Sequence, residues 1–181
     1  MTATEDEMKH RIESAVSTNV GKVRKNNEDN YYLNGQIRRH VDILEDHVYS
    51  ESCDRCFLAA VADGMGGEAF GEEASLLAVK GLHSCKIKKV IRTAAKDVRH
   101  MNDLVCKMMK KNDGIRIGTT LVSLYIDHGE AVFCNLGDSR GYLYRDGKLT
   151  LMTVDHKRAT HAYLDDVSLL PVSKLPSPPS E

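Results

Sequence analysis

The sequence predicts an α+β fold in which helices cover an antiparallel sheet. Two stretches in the middle of the chain carry apolar residues at the spacing of an amphipathic helix. From Gly118 onward apolar residues alternate with polar ones, and turn residues separate the alternating runs. Helices beside a run of antiparallel strands bury their apolar faces as packed layers. With 181 residues the chain is long enough for one sizeable core, so we expect a single domain.

The first third of the chain predicts three strands and one long connection. Residues 11–18 alternate weakly and residues 31–33 are aromatic and apolar, so both ranges are predicted strands, with a polar loop over 19–27 between them. Residues 35–55 are charged, and we interpret them as a long connection with room for one short element. The continuous apolar run at 57–62 has the length of a buried strand.

Two helices are predicted after a glycine-rich loop. The first begins near Gly71, and the second ends at 112–114, where Asn, Asp and Gly tolerate left-handed backbone geometry. We interpret the apolar face of each helix as core. The first face consists of Ala74, Leu77, Ala78, Gly81, Leu82 and Cys85, and the second of Ile91, Ala94, Ala95, Val98, Met101, Val105 and Met108.

An antiparallel meander is predicted next. A break at 137–139 and a tight hairpin turn at 146–147 divide it. All four prolines lie beyond His156 in a stretch without a sustained period, so residues 159–181 are predicted to be an irregular or disordered tail after a domain at 11–158. The predicted strands of the meander are 119–127, 130–136, 140–145 and 148–154.

Charge and composition narrow the classes of function. Lys and Arg number 25 and Asp and Glu 26, which gives a formal net charge of −1 and a pI of about 6.7. This balance provides no general attraction to nucleic acid or to an anionic membrane. The apolar runs fall far short of the roughly 20 residues of a membrane span, and the first residues lack the apolar region of a signal peptide. We therefore expect a cytoplasmic protein that binds neither nucleic acid nor membrane.

The cysteines suggest reduced thiols and one alternative function. Their number, five, is odd and they are scattered, as is typical of a reducing compartment. Cys53 and Cys56 have the spacing of metal ligands, with His47 as a nearby third candidate. A closed zinc site needs four ligands. A zinc-binding interaction domain is therefore the weaker alternative, and it requires one tightly held zinc that is lost when either cysteine becomes serine.

The strongest candidate site begins at Asp63. Asp63 is the first polar residue after the 57–62 strand. The glycines at 64, 66 and 67 permit positive φ and close approach of the backbone. This arrangement places a carboxylate and bare carbonyl groups where a divalent metal ion can bind.

Two further polar segments accompany Asp63. Residues 24–30 set an arginine, two carboxylates and three asparagines just before a strand, and residues 135–140 place Asp138 in a break between strands. Taken singly, each acidic segment is typical of a solvated loop or a turn cap, and Arg24 is typical of a surface arginine.

Together and in this order, with 118–120 and 153–156 between and after them, these segments resemble the metal-dependent serine/threonine protein phosphatases of type 2C in their bacterial form. The resemblance covers residues 17–156, and its most distinctive parts are 62–67 and 135–140. It implies a four-layer α/β/β/α sandwich of antiparallel sheets flanked by helix pairs, incomplete at the C-terminus in this chain.

The resemblance also implies a centre with two Mn²⁺ or Mg²⁺ ions and room for a third, weaker ion. By this comparison Asp63 bridges the two ions, the carbonyl of Gly64 binds one of them, and Asp138 helps to hold the third. Mn²⁺ and Mg²⁺ prefer hard oxygen ligands and activate water, here for in-line attack on phosphoserine or phosphothreonine.

Substrate-binding and supporting roles follow from the same resemblance. Arg24 matches the arginine that binds the substrate phosphate, a role suited to its bidentate fork. Glu28 and Asp29 match carboxylates around the metal ions that orient metal-bound water. The implied partners are phosphorylated proteins and, with them, an opposing serine/threonine kinase system.

The chain departs from the family pattern in two respects. Family members carry a histidine at the position of Met65 or of Glu68, and this chain has it at neither. Two further metal-binding aspartates of the family, in an Asp-Gly and a Gly-Asp-Asn motif, have no match after His156, since Asp165 and Asp166 lack those contexts. We therefore expect a truncated domain with little or no turnover by itself. The alternative is a pseudophosphatase that binds or regulates phosphoproteins.

Overall fold

The computed structural model describes residues 11–38, 45–52, 56–65, 70–82, 90–113, 115–127, 130–156 and 168–172. Within these ranges the chain forms two helices and twelve strands. The helices are α1 (Gly71–Leu82) and α2 (Val90–Lys111). The strands are β1 (Arg11–Thr18), β2 (Asn30–Leu33), β3 (Gln36–Ile37), β4 (Glu45–Ser52), β5 (Cys56–Ala62), β6 (Gly64–Met65), β7 (Gly118–Thr119), β8 (Leu121–Asp127), β9 (Glu130–Leu136), β10 (Tyr142–Arg145), β11 (Lys148–Leu151) and β12 (Ser168–Val172).

Six of the strands form one sheet in the order β12-β9-β8-β5-β2-β3. All neighbours in this sheet run antiparallel. At its centre Tyr125 of β8 lies opposite Leu58 of β5 on one side and Val132 of β9 on the other. The α+β class with antiparallel strands is therefore confirmed.

One face of the sheet packs against the helices. Because successive side chains of a strand point to opposite faces, Leu58, Ala60 and Ala62 of β5 all reach the same core. The two helices cover this core and cross closely at Gly81, where a Cβ atom would lie 2.5 Å from Cγ of Met101. Of the helices in the described ranges, none has the length and apolarity needed to cross a bilayer.

The opposite face of the sheet packs against a second layer of strands. β1 pairs with β4, and Ile12 and Val16 of β1 pack against a cluster of the large sheet formed by Tyr31, Leu33 and Phe57. β10 pairs with β11, and Leu143 packs against the cluster that contains Phe133. The described residues thus form three layers, and the second helix pair that the resemblance implies is not among them.

The region between β2 and β5 holds more structure than the sequence predicted. Residues 35–55 contain β3, which closes a hairpin with β2, and β4, which pairs with β1 over eight residues. The prediction of one short element was wrong because β4 is mostly polar and charged. Its pairing partner is also distant in sequence, so no local pattern marks it as a strand.

The predicted meander divides into two parts. β8 and β9 lie in the large sheet, whereas β10 and β11 form a separate two-stranded sheet, so a single continuous meander was wrong. The chain leaves the large sheet after β9 at Gly137, which has a φ of 98°. Asp146 and Gly147, with φ values of 51° and 74°, form the predicted tight turn.

A strand lies within the predicted tail. β12 pairs with β9 from Ser168 opposite Asn135 to Val172 opposite Ala131, at the edge of the six-stranded sheet. Pro171 is compatible with this place because an edge strand tolerates a residue without an N–H donor. The irregular interpretation of 159–181 is therefore wrong for these five residues, and the domain boundary at 158 stays a prediction.

Candidate functional site

The segments that carry the candidate residues meet at one end of the large sheet. In an antiparallel sheet the start of one strand lies beside the end of its neighbour. The register places Asn30 beside Ala62 and Leu121 beside Leu136. One end of the sheet therefore carries the loop before β2, the residue after β5 and the break after β9. The sequence segments alone did not reveal that these parts lie together.

The backbone of Asp63 is fixed by two threonines. Its N–H donates to Oγ1 of Thr120 at 3.0 Å, and its carbonyl accepts from the N–H of Thr120 at 2.9 Å and from Oγ1 of Thr119 at 3.0 Å. The carboxylate of Asp63 thus extends from a backbone whose donor and acceptor are both engaged. Sequence reasoning gave these threonines no role, and their pairing across 57 positions left no local signal.

Gly64 is buried where three segments of main chain meet. A Cβ atom at this position would collide with the carbonyl oxygen of Gly71 and would lie 2.5 Å from that of Glu28. A Cβ at Gly71 would in turn lie 2.7 Å from Cδ of Glu28. The predicted close backbone approach at Gly64 is confirmed, and it fixes Glu28 beside the first turn of α1.

The loop over 27–29 is held by side chains from outside it. The amide of Asn27 donates to Oγ1 of Thr18 at 2.8 Å, and its Oδ1 accepts from the N–H of Asp29 at 3.0 Å. The carbonyl of Glu28 accepts from Oγ of Ser75 in α1 at 2.6 Å. Asp29 and Glu28 are therefore placed by contacts to β1 and α1 that the sequence pattern did not show.

The break that carries Asp138 is joined to the Asp63 segment through Thr120. Oγ1 of Thr120 and Oγ of Ser139 form a hydrogen bond of 2.6 Å, and the methyl group of Thr120 lies against Gly137. The carbonyl of Gly137 accepts from the N–H of His156 at 2.9 Å. Asp138 therefore stands on a backbone tied to the same threonine that fixes Asp63.

These segments surround a cleft of about 390 Å³. The cleft brings together five of the six predicted site residues, and Asp138 is outside its lining. Met65 also lines the cleft and is 46% exposed. The lining consists of Asn19, Val20, Arg24, Asn26, Asn27, Glu28, Asp29, Asp63, Gly64 and Met65.

Negative charge converges on Asp63. Burial raises the pKa of Asp63 above its ordinary value, and the nearby charges of Asp29 and Asp138 raise this pKa further. A hydrogen bond between the carboxyl groups of Asp63 and Asp29 acts in the same direction, and Arg24 opposes the rise. The site thus holds three carboxylates whose repulsion a bound cation would relieve.

The donors fit a hard cation with an incomplete protein shell. In the described ranges no three His, Cys, Asp or Glu side chains are close enough to hold a metal ion together. Asp63 and Asp29 nevertheless supply adjacent carboxylates, and Mg²⁺ in proteins commonly binds to one or two carboxylates and keeps several waters. The residues present therefore fit Mg²⁺ or Mn²⁺ with water in the remaining positions.

Some predicted features lie outside the described residues. Gly66, Gly67 and Glu68 are among them, so their part in the site stays a prediction. The same holds for the zinc hypothesis, since Cys53 and the side chains of Cys56 and His47 are not described. Among the described residues, Cys106 and Cys134 are not in disulfides.

Residues 38–168 match the model of a family described as Protein phosphatase 2C. The serine/threonine phosphatase Stp of Listeria welshimeri is 32% identical to this chain over an alignment of 148 residues, and the alignment covers 77% of this chain and 52% of that protein. PstP, a serine/threonine protein phosphatase of Mycobacterium tuberculosis, is 31% identical over an alignment of 146 residues that covers 78% of this chain and 24% of that protein. The chain therefore spans about half the length of Stp and less of PstP.

Solved structures have the same fold. The catalytic domain of PstP in complex with two manganese ions superposes with a TM-score of 0.62 at 30% identity, covering 82% of this chain and 57% of that one. PppA of Pseudomonas aeruginosa gives a TM-score of 0.69 at 24% identity over 93% of this chain and 74% of that one, a likeness of fold alone. The family model extends over most of this chain, including Asp63 and Asp138, and the alignments with Stp and PstP each cover more than three quarters of the chain. The chain belongs to the protein phosphatase 2C family.

Proposed function

We propose that this chain carries part of a metal-dependent phosphatase centre that hydrolyses phosphoserine and phosphothreonine in proteins. One observation carries the proposal: Asp63 shares a cleft with Asp29 and Arg24, and the charge of Asp138 also acts on it. Carboxylates that crowd together beside an arginine suit a site for cations and a phosphate. The names of the relatives and the manganese ions bound to PstP support this assignment.

The side chains divide into a metal-binding group and a phosphate-binding group. Asp63 and the carbonyl of Gly64 would hold Mn²⁺ or Mg²⁺, with Asp138 toward a third ion. Glu28 and Asp29 would orient water at the ions, and the charge of Asp29 acts on Asp63. Arg24, exposed at the wall of the cleft, would bind the phosphate and align it for attack.

The chemistry needs no covalent intermediate on the protein. When bound, the metal ions supply positive charge that activates water and offsets the charge of the phosphate. The chain itself contributes orientation, because the backbone at Asp63 is fixed by Thr120 and Thr119. Such placement of reacting groups is a large part of the catalysis of phosphoryl transfer.

We expect slow turnover from this chain alone. Among the described residues, too few carboxylates converge to complete two metal shells. Met65 lines the cleft without offering a proton donor where some family members have histidine. The substrates would be cytoplasmic phosphoproteins, opposed by a serine/threonine kinase.

The proposal is tested with a phosphothreonine peptide and Mn²⁺. We expect slow, Mn²⁺-dependent phosphate release that Asp63→Asn abolishes, and a raised KM in Arg24→Ala. Asp146→Asn makes the same chemical change in the β10–β11 turn and should leave the rate unchanged. Release of phosphate without metal, or full activity in Asp63→Asn, would refute the proposal.

The alternative is a pseudophosphatase that binds phosphoproteins without turnover. Met65 in the cleft favours it, since a thioether can neither donate nor accept a proton at the leaving group. Calorimetry with the same phosphopeptide distinguishes the two functions. The binding module would be established by two results together: the wild type binds the phosphopeptide without releasing phosphate at saturating Mn²⁺, and Arg24→Ala no longer binds it.

A further inference from the structure

Arg38 is a buried arginine next to the acidic loop, and sequence reasoning gave it no role. It is 2% exposed and directly follows β3. The β2–β3 hairpin turns at Asn34 and Gly35, whose φ values are 42° and 100°, and this turn brings Arg38 back beside the start of β2. There its carbonyl accepts from the side-chain amide of Asn30 at 3.2 Å.

The guanidinium of Arg38 holds two backbone carbonyls of the loop. Nη1 donates to the carbonyl of Asp29 and Nη2 to the carbonyl of Asn27, each at 2.9 Å. These carbonyls lie on either side of Glu28, whose own carbonyl accepts from Ser75. Three consecutive carbonyls of the acidic loop are thus engaged by two side chains from outside it, Arg38 and Ser75.

This arrangement matters because residues 27–29 belong to no helix or strand. The loop places the carboxylate of Asp29 near that of Asp63, on which the charge of Asp138 also acts, and like charges push such a loop away from the cleft. A planar fork with donors at fixed angles can hold two carbonyls at once, which the single ammonium of lysine does less well. Burying a guanidinium is costly compared with an apolar side chain, so packing alone does not account for an arginine here.

We propose that Arg38 is a positioning residue of the metal centre: by holding the carbonyls of Asn27 and Asp29 it keeps the carboxylate of Asp29 beside Asp63. Its role in metal binding rests on the proposed function. The hydrogen bonds of its guanidinium go to the loop that carries Asp29, so we expect Arg38 to act on metal affinity and not on phosphate binding.

The first measurement needs no metal. Amide hydrogen exchange of the metal-free protein is compared between the wild type, Arg38→Met and Arg38→Lys, with Val132→Ala as a control that removes core volume from β9. We expect exchange at residues 27–30 to rise about tenfold in Arg38→Met and less in Arg38→Lys. Val132→Ala should leave these amides protected. If the loop amides of both Arg38 variants exchange at the wild-type rate, the proposal is wrong.

The second measurement is Mn²⁺ affinity by calorimetry. Loss of a group that orients metal ligands typically weakens affinity about 10–100-fold, which is the range we expect for Arg38→Met, with partial recovery in Arg38→Lys. At Mn²⁺ concentrations that saturate each variant, the KM for p-nitrophenyl phosphate should stay at the wild-type value. If Arg38→Met does not fold, Arg38→Lys carries the test. Unchanged Mn²⁺ affinity in a folded Arg38 variant would overturn the proposal. Failure of the wild type itself to bind Mn²⁺ would refute the proposed function. In that case the exchange measurement alone would show whether Arg38 holds the loop in place.

Discussion

The ionised carboxylate of Asp63 lowers the stability of the folded protein when no metal is bound. Its pKa is raised above the ordinary value of 3.8 by burial and by the charges of Asp29 and Asp138. Between that value and the raised pKa, the folded protein binds more protons than the unfolded chain. The free energy of unfolding therefore falls as pH rises through this interval. At neutral pH, where the carboxylate is ionised, the loss of stability is greatest.

Removing that charge should stabilise the metal-free protein. At pH 7 we expect Asp63→Asn to raise Tm by about 2 °C in the presence of a chelator. The difference in Tm from the wild type should shrink as the pH falls below 3.8, because the carboxyl of Asp63 then takes up a proton in both the folded and the unfolded chain. Scanning calorimetry from pH 3.5 to 8 measures it, with Asp146→Asn as the matched control. A Tm of Asp63→Asn below the wild-type value at pH 7 would contradict this account.

Gly64 should not tolerate a side chain. In Gly64→Ala the new methyl group meets backbone carbonyls of Gly71 and Glu28, which cannot rotate away. We expect a loss of about 3 kcal/mol or more in the free energy of unfolding, measured in urea. Gly118→Ala is the control from the paired strand β7, because its Cβ would meet only Cε of Met65 at 3.8 Å. Equal stability of the two variants would show that the backbone at Gly64 relaxes.

At the scale of the residue, the sequence predicted the charged residues of the site but not the residues whose hydrogen bonds keep them in place. Asp63 is visible because the strand, carboxylate and glycines that mark it are consecutive. The contact of Ser75 with Glu28 spans 47 positions, and a serine in a helix has an ordinary appearance in sequence. Arg38 is likewise hidden, since a charged residue in a charged connection predicts a solvated side chain.

At the scale of the element, prediction succeeded where the apolar period was strong. The helices α1 and α2 and the strands β1, β2, β5, β8 and β9 match their predicted ranges to within a few residues. β4 was missed because its polar sequence carries no alternation. In β12, Pro171 indicated an irregular tail, whereas the edge of a sheet accommodates proline.

The strand β12 should contribute measurably to stability. A chain that ends at residue 167 leaves the outer edge of β9 unpaired. Its free energy of unfolding should fall by about 2 kcal/mol, which lowers the urea midpoint, and the unpaired edge should increase self-association. A chain that ends at residue 172 keeps the β9–β12 pairing and serves as the control. Size-exclusion chromatography and urea titration compare the two chains. The same midpoint and elution volume for both would mean that β12 adds nothing to the sheet.

At the scale of the whole molecule, the antiparallel order of the sheet creates the site. β2 and β8 start where β5 and β9 end, so segments distant in sequence meet at one end of the sheet. The resemblance to the family predicted this convergence, and local patterns did not, because strand order is a property of the complete sheet.

Metal binding should therefore stabilise the whole fold. Mn²⁺ at about 100 times its Kd adds about 2.7 kcal/mol to a protein that binds it only when folded, which corresponds to a rise in Tm of about 5–10 °C. Thermal unfolding with Mn²⁺, with Mg²⁺ and after addition of EDTA measures the effect. Asp63→Asn should abolish the shift, and Asp146→Asn should keep it. A shift of the same size in Asp63→Asn would place the bound metal elsewhere.

The floor of the cleft at Gly64 consists of main-chain atoms in mutual contact. Amino-acid substitutions change side chains and leave carbonyl groups in place, so natural variation has little means to reshape this floor. The rim is different, because Val20, Arg24 and Met65 are side chains open to replacement. We therefore expect differences between copies of this domain to concentrate in the side chains of the rim, and the main-chain floor at Gly64 to stay the same.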